Sequence, residues 1–169
     1  MRTLTFDLPD PEATAELGRA LARSFPGAAN AAVVVHLEGE LGAGKSALAR
    51  AFLQANGVAG PIRSPTYTLV ETYPLSETTF VHVDLYRLQS GAGLADLGLR
   101  DLLQPGHVVL IEWPARGGAG VATADLAIRL EDAGAGRRAT LTSAGACGDA
   151  WLTLLASDRR IASYLSNLT

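Results

Sequence analysis

Ala31–Leu37 (AAVVVHL) is an almost unbroken apolar run rich in valine, and it leads straight into Gly39-Glu40-Leu41-Gly42-Ala43-Gly44-Lys45-Ser46, a complete G-x-x-x-x-G-K-[ST] pattern. No other feature of the chain constrains the fold as strongly. A strand without polar alternation has to be covered on both faces, as in a parallel sheet. Parallel strands need crossover connections, usually helices. Leu48, Ala49, Phe52 and Leu53 supply an apolar stripe for a helix that opens near Lys45 and stops by Asn56-Gly57. Strand, glycine-rich turn and helix in that order are the context in which the pattern carries chemistry.

Each position of the turn has a physical reason. Glycines let the backbone curl so that successive N–H groups point at phosphate oxygens. The helix that follows aims its positive dipole end at the same place. Lys45 adds a point charge for the β- and γ-phosphates, and the Ser46 hydroxyl suits Mg²⁺. The expected ligand is the triphosphate of a purine nucleotide, ATP with Mg²⁺, leaving ADP after turnover. The plainer alternative is a strand–helix turn with no ligand.

The remaining segments extend the α/β alternation. Leu4, Phe6 and Leu8 alternate as a strand, and Asp10-Pro11-Glu12 signals a helix start, followed by Leu17, Ala20, Leu21 and Phe25 at helical spacing. Thr68–Tyr73 and Phe80–Leu85 read as a hairpin, Leu94–Leu103 as a helix and His107–Glu112 as a second buried strand. Leu126–Leu130 and Thr140–Thr142 read as late strands joined by the loop AGAGRR, Gly117–Gly120 as a flexible loop, and Asp149–Leu165 as a helix docked through Trp151, Leu154, Leu155 and Tyr164. The expected fold is α/β: a P-loop NTPase-like three-layer arrangement with a mostly parallel central sheet and antiparallel edge additions. One domain spans residues 1–169, with about 146–169 as a C-terminal helical extension; 169 residues suit one full core.

A phosphate loop that hydrolyses its ligand needs an acid at the end of a neighbouring strand. Asp84 ends Phe80-Val81-His82-Val83 and Glu112 ends Val108-Val109-Leu110-Ile111. Both belong at carboxyl ends, where ligands gather in open α/β sheets. One acid is expected on Mg²⁺ and the other on the attacking water; sequence leaves open which is which. Each also has the alternative of a solvated acid just past a strand. Trp113, next to Glu112, suits a nucleotide-covering or a rim-packing role. His82, His36 and His107 read as structural, and Arg87 as the partner of a nearby acid.

The net charge of −3 and the sequence pI of about 5.6 argue against unaided gripping of nucleic acid. The single cysteine, Cys147, rules out a disulfide framework within the chain and fits a reducing compartment. The N-terminus carries no apolar signal core, and no run is long enough to span a bilayer, so the expected location is the cytoplasm, with no membrane contact.

Three further segments, Ser64-Pro65-Thr66-Tyr67-Thr68-Leu69-Val70, His82-Val83-Asp84-Leu85-Tyr86-Arg87-Leu88 and Ile111-Glu112-Trp113-Pro114, stand in order with the loop Gly39–Ser46. In this combination the chain resembles the TsaE (YjeE) family, from about Leu8 to Gly145. The resemblance implies an ATP-binding and slowly ATP-hydrolysing accessory subunit of tRNA threonylcarbamoyladenosine synthesis. It implies TsaB and TsaD as partners, with tRNA met only indirectly through the complex. It places Lys45 and Ser46 on phosphate and metal, Thr66 in a switch-like loop near the γ-phosphate, and Asp84 and Glu112 as the family's acids. Trp113 becomes the neighbouring aromatic, Arg137 a residue near the nucleotide, and the backbone at Ala115 and the strand–helix junction at Pro11 further contacts. The chain departs from the family in carrying Ser46 for the usual Thr, in Ala47, which offers the α-phosphate only a backbone N–H, and in Ala115 for a polar residue.

Other readings stay open at this level. A small-molecule P-loop kinase fits the size but lacks an obvious arginine-bearing lid. A GTPase switch lacks an N-K-x-D motif. A nucleotide sensor without turnover differs only in activity.

Overall fold

The computed structural model describes residues 1–88 and 97–166. Seven strands form one sheet: β1 (Thr3–Leu8), β2 (Val33–Glu38), β3 (Val70–Pro74), β4 (Thr79–Asp84), β5 (His107–Glu112), β6 (Leu126–Ala133) and β7 (Gly136–Ser143), in the spatial order β1-β7-β6-β2-β5-β4-β3. The pairs β6–β2, β2–β5 and β5–β4 are parallel and make the centre. The hairpin β3–β4 and the pairs β6–β7 and β7–β1 add antiparallel edges on both sides. Three α-helices, α1 (Pro11–Arg23), α2 (Lys45–Ala55) and α3 (Gly145–Ala156), complete the main elements.

Residue alternation decides which face each apolar side chain serves. Val33, Val35 and Leu37 of β2 and Val108 and Leu110 of β5 join the core under α1, α2 and α3. Val34, Val109 and Ile111 point to the other face, where Val81, Val83, Leu85, Leu88 and Leu99 complete a smaller core. Both faces of β2 and β5 are thus dry, which is why their sequences show no polar alternation. The second face carries the 3-10 segments Leu99–Leu102 and Pro114–Gly120 rather than full α-helices.

Local capping explains the helix starts. Asp10 accepts from Ala13 N at 2.8 Å and Pro11 takes the first helical position of α1. The N-cap of α2 is Gly44 at φ 104°, with no side-chain cap among the described residues, so the first N–H groups of α2 face the open end of the phosphate loop.

Four sequence expectations shift. The strands β6 and β7 run to Ala133 and from Gly136, so AGAGRR is a tight turn at Gly134-Ala135 flanked by paired strand. Hydropathy misses these strand ends because their side chains are charged and solvated, and Asp132 and Arg137 pair across the strands at 2.7 Å. The segment Gly117–Gly120 carries 3-10 turns broken by a kink at Gly118 (φ 59°, ψ −145°) instead of a loose loop. The helix expected over Leu94–Leu103 falls partly on residues 89–96, outside the described residues; the part described is a 3-10 turn at Leu99–Leu102, entered through Gly98 at φ 61°, a conformation that interrupts an α-helix.

The C-terminal helix starts earlier and stops sooner than expected, at Ala156, and Leu154 is half exposed rather than docked. Asp158 ends it: its carboxylate accepts from Arg160 N at 2.9 Å and pairs with Arg23 at 2.8 Å, a local turn that competes with the helix. The chain then returns to β1, where Ser166 N donates to Thr5 O at 2.8 Å. Trp151 anchors α3, its ring tilted against Phe25 and Phe52 with centroids 5.0 Å and 5.9 Å away and its indole N–H on Leu21 O at 2.9 Å. Trp151→Ala is expected to lower unfolding free energy by about 3–5 kcal/mol, and Leu154→Ala to stay within about 0.5 kcal/mol, in urea denaturation.

Candidate functional site at the carboxyl ends of the parallel strands

The ends of β2, β4 and β5 meet at one rim of the sheet, and the loop Gly39–Ser46 rises from β2 between them. Gly39, at φ 139°, has no room for a side chain: a Cβ there would lie 2.3 Å from Leu130 O. The loop therefore stays pressed against β6. Lys45 is buried at 4% exposure, and its ammonium donates to the carbonyls of Gly39 at 2.7 Å and Glu40 at 2.8 Å. Burial pushes its pKa down, and the charges of Glu112, Asp84 and Glu40 pull it back up. The ammonium also stands 4.0 Å over the indole of Trp113.

Strand register places the two acids side by side, because Asp84 and Glu112 are direct partners across β4–β5. Both are almost fully buried, at 4% and 2% exposure. They nevertheless face different neighbours. Glu112 Oε2 accepts from the Ser46 hydroxyl at 3.0 Å, and Oε1 accepts from His82 Nε2 at 2.8 Å. Asp84 Oδ2 accepts from Thr66 Oγ1 at 3.1 Å and Ser64 Oγ at 3.3 Å, while Oδ1 is fixed by Tyr86 N at 2.9 Å. The segment Ser64-Pro65-Thr66 thus belongs to the rim and is tied to β4 through Asp84.

Among the described residues, two adopt left-handed backbone without being glycine: Trp113 at φ 58° and Leu69 at φ 65°. Each costs of order 1–3 kcal/mol and needs a surrounding structure that imposes it. Trp113 N is held by Leu37 O at 3.2 Å, and the turn carries the indole back over Lys45. Leu69 O holds Asp84 N at 3.0 Å, so the second strained residue fixes the second acid.

Three hollows surround the loop. One of about 270 Å³ is lined by Lys45, Ser46, Thr66, Asp84, Glu112 and Trp113. A second, of about 210 Å³, lies on the opposite flank between Pro11, Gly44, Ala47, Gly136 and Arg137. The largest, of about 680 Å³, includes Trp113, Ala115 and Arg137 but is walled by Glu38, Glu131 and Asp132, a poor surface for phosphates. Each candidate site residue of the sequence, from Pro11 and Gly39–Ala47 through Thr66, Asp84, Glu112, Trp113 and Ala115 to Arg137, lines one of these hollows. Arg137 lies in β7 rather than in a loop, and its guanidinium reaches Gly42 O at 3.3 Å.

Sequence reasoning missed two contributions. His82 reads as a plain strand residue, yet it is 1% exposed and bonded to Glu112. The signal was its parity with Asp84, which puts both on the face of β4 that Glu112 shares. Among the described residues Arg87 pairs with no acid; its guanidinium lies 4.2 Å over the ring of Tyr67, itself 82% exposed.

Known proteins agree with this architecture. The family profile described as threonylcarbamoyl adenosine biosynthesis protein TsaE matches residues 8–140. The tRNA threonylcarbamoyladenosine biosynthesis protein TsaE of Haemophilus influenzae is 36% identical over 132 residues, covering 78% of this chain and 84% of the relative. The Bacillus subtilis protein of the same name is 32% identical over 113 residues, covering 67% and 68%. Among solved structures, "Crystal structure of Bacillus subtilus YdiB" superimposes with a TM-score of 0.72 over 92% of this chain and 95% of that one, at 24% identity, a likeness of fold. A profile match across most of the chain, over the segments that build the rim, shows that this protein belongs to the TsaE family.

Proposed function

We propose that the chain binds ATP with Mg²⁺ and hydrolyses it as the accessory ATPase of tRNA threonylcarbamoyladenosine synthesis, working with TsaB and TsaD in the cytoplasm. The carrying observation is the split environment of two buried acids on one strand pair: Glu112 on the Ser46 hydroxyl, Asp84 on Thr66. That division supplies a metal side and a water side. The whole chain acts as one unit, with residues 146–166 closing it against β1. No helix among the described residues is long and apolar enough to cross a membrane. A net charge of −3 favours contact with tRNA through partners rather than through this chain.

The donor set fits Mg²⁺. No group of three or more His, Cys, Asp or Glu gathers among the described residues. Mg²⁺ does not require one: it keeps several waters and takes one or two protein oxygens plus substrate phosphates. The Ser46 hydroxyl and Glu112 Oε2, 3.0 Å apart, are such a pair of hard oxygens, with Asp84 next to them across the strands. When bound, the ion supplies charge neutralisation on the β- and γ-phosphate oxygens.

The chain's residues do the rest. Backbone N–H groups along Gly39–Ala47, including those of Glu40, Leu41, Gly42 and Gly44, wrap the phosphates, while Ala43 N donates within the loop to Glu40 O at 3.1 Å. Lys45 exchanges its carbonyl partners for β- and γ-oxygens. Thr66 and Asp84 orient a water for in-line attack on the γ-phosphorus; the bond to the β-bridging oxygen breaks, leaving ADP and phosphate. Trp113 shields Lys45 from solvent, and Ala115 borders the hollow beside it. Pro11 and Arg137 line the hollow on the nucleoside side.

The test is phosphate release from ATP and from GTP, alone and with TsaB and TsaD. ATP-selective release stimulated by the partners is the expected result. Phosphoryl transfer to a small acceptor, or equal use of GTP, overturns the reading.

A further inference from the structure

We infer that His82 is a positioning residue: its Nε2–H holds Glu112 so that the other carboxylate oxygen stays on Ser46 and the charge stays off Lys45. The inference rests on Glu112 serving the metal side of the site as proposed above. Three observations carry it. His82 is 1% exposed and its Nε2 lies 2.8 Å from Glu112 Oε1. Its Nδ1 has no hydrogen-bond partner among the described residues, so one contact alone accounts for a polar ring in this apolar strand. Glu112 is itself 2% exposed, with one oxygen on His82 and the other on Ser46.

A carboxylate only accepts, so the shared proton sits on His82 Nε2. Without it, Oε1 is buried with nothing to accept, and the Lys45 ammonium in the same hollow attracts Glu112. Rotation toward that ammonium would satisfy the carboxylate and spoil both ends of the site. Lys45 would lose charge for the phosphates, and Ser46 would lose the oxygen beside it. His82 removes the incentive to rotate. Register supports the role: His82 sits opposite Leu110, two residues below the Asp84–Glu112 pair, so its ring reaches Glu112 from within the sheet rather than from the ligand side.

The near-isosteric pair His82→Gln and His82→Met separates the donated hydrogen bond from bulk. In steady-state ATP hydrolysis with TsaB and TsaD, His82→Met is expected to lose about ten- to hundredfold in kcat, the usual effect of removing a group that orients a metal ligand. KM should hold. The enhancement of ADP affinity by Mg²⁺, read by calorimetry on the chain alone, should shrink in the same variant while its melting temperature does not fall. His82→Gln should recover much of both. His107→Gln, at the far end of β5, serves as the unaffected control. Wild-type kcat in His82→Met overturns the inference, and so does equal loss in both variants. Imidazole ¹⁵N correlation spectra of the unsubstituted chain need no folding of a variant: an Nε2-protonated ring whose shift moves in Glu112→Gln is expected, and an Nδ1-protonated ring overturns the inference. Failure of ATP turnover in the unsubstituted complex would sink the functional reading instead, leaving the spectra to judge His82.

Discussion

Replacing Lys45 by alanine is expected to abolish measurable ATP binding in calorimetry while the chain stays folded. The side chain is a cation that shares a hollow with two buried acids, and its ammonium lies among the loop carbonyls of Gly39 and Glu40. A charged hydrogen bond to phosphate is worth about 1.5–3 kcal/mol, and each 1.4 kcal/mol is about tenfold in affinity. Two such bonds, to the β- and γ-oxygens, already amount to a loss on the order of a hundredfold or more. The loss grows because Glu112 and Asp84 would then face the polyphosphate with no fixed cation between them. Lys45→Arg is no remedy, since the planar fork is a poor substitute for a point charge packed 4.0 Å over the Trp113 indole. Affinity that survives Lys45→Ala would refute the placement of the phosphates on this loop.

Glu112→Gln is expected to separate hydrolysis from binding in the opposite way. The amide keeps the volume and can still accept from His82 or Ser46, so the nearly dry pocket does not collapse. The lost charge is the one beside the Ser46 hydroxyl. Turnover should fall by at least about a hundredfold, since groups that merely orient metal ligands are already worth ten- to hundredfold. ATP affinity should change far less, because the loop N–H groups and Lys45 remain. Glu112→Ala is the harsher variant: it strands the buried His82 Nε2–H and costs about 1–3 kcal/mol of stability in addition. Turnover at the wild-type rate in Glu112→Gln, with single-turnover phosphate release as the measurement, would remove Glu112 from the catalytic set and leave Asp84 as the acid that matters.

The strained residues explain why the site survives on a sheet rim. Trp113 and Leu69 hold left-handed backbone beside the two acids, and each is locked by a hydrogen bond to a neighbouring strand or acid. Local propensity disfavours both conformations. They persist because β2 and β4 are fixed by the parallel core around Val35, Leu37, Val81 and Val83. Stability concentrated in the dry strands thus supports geometry at their ends, a division in which rigid elements position functional loops.

What the sequence determined by itself is local and periodic. The valine run of β2, the glycine spacing of the loop, the Asp10-Pro11 helix start and the boundaries of β5 depend on contacts within a few residues, and each is legible as a pattern. The placement of the loop and of the two strand-end acids follows from the same patterns, and the combination of motifs carries the family. Tertiary structure decided what depends on partners distant in the chain. Glu112 meets Ser46 across 66 residues and His82 across 30, and Asp84 meets Thr66 across 18; only the parallel register of β4 and β5 says which acid faces which hydroxyl. The same cause hid the charged ends of β6 and β7, whose strand character comes from cross-strand pairing rather than apolar alternation. The early stop of α3 at Asp158 likewise depends on Arg23, 135 residues away. A pattern within one segment reports how that segment prefers to bury its own side chains. Which acid faces which hydroxyl is set by neighbours brought together only when the sheet forms.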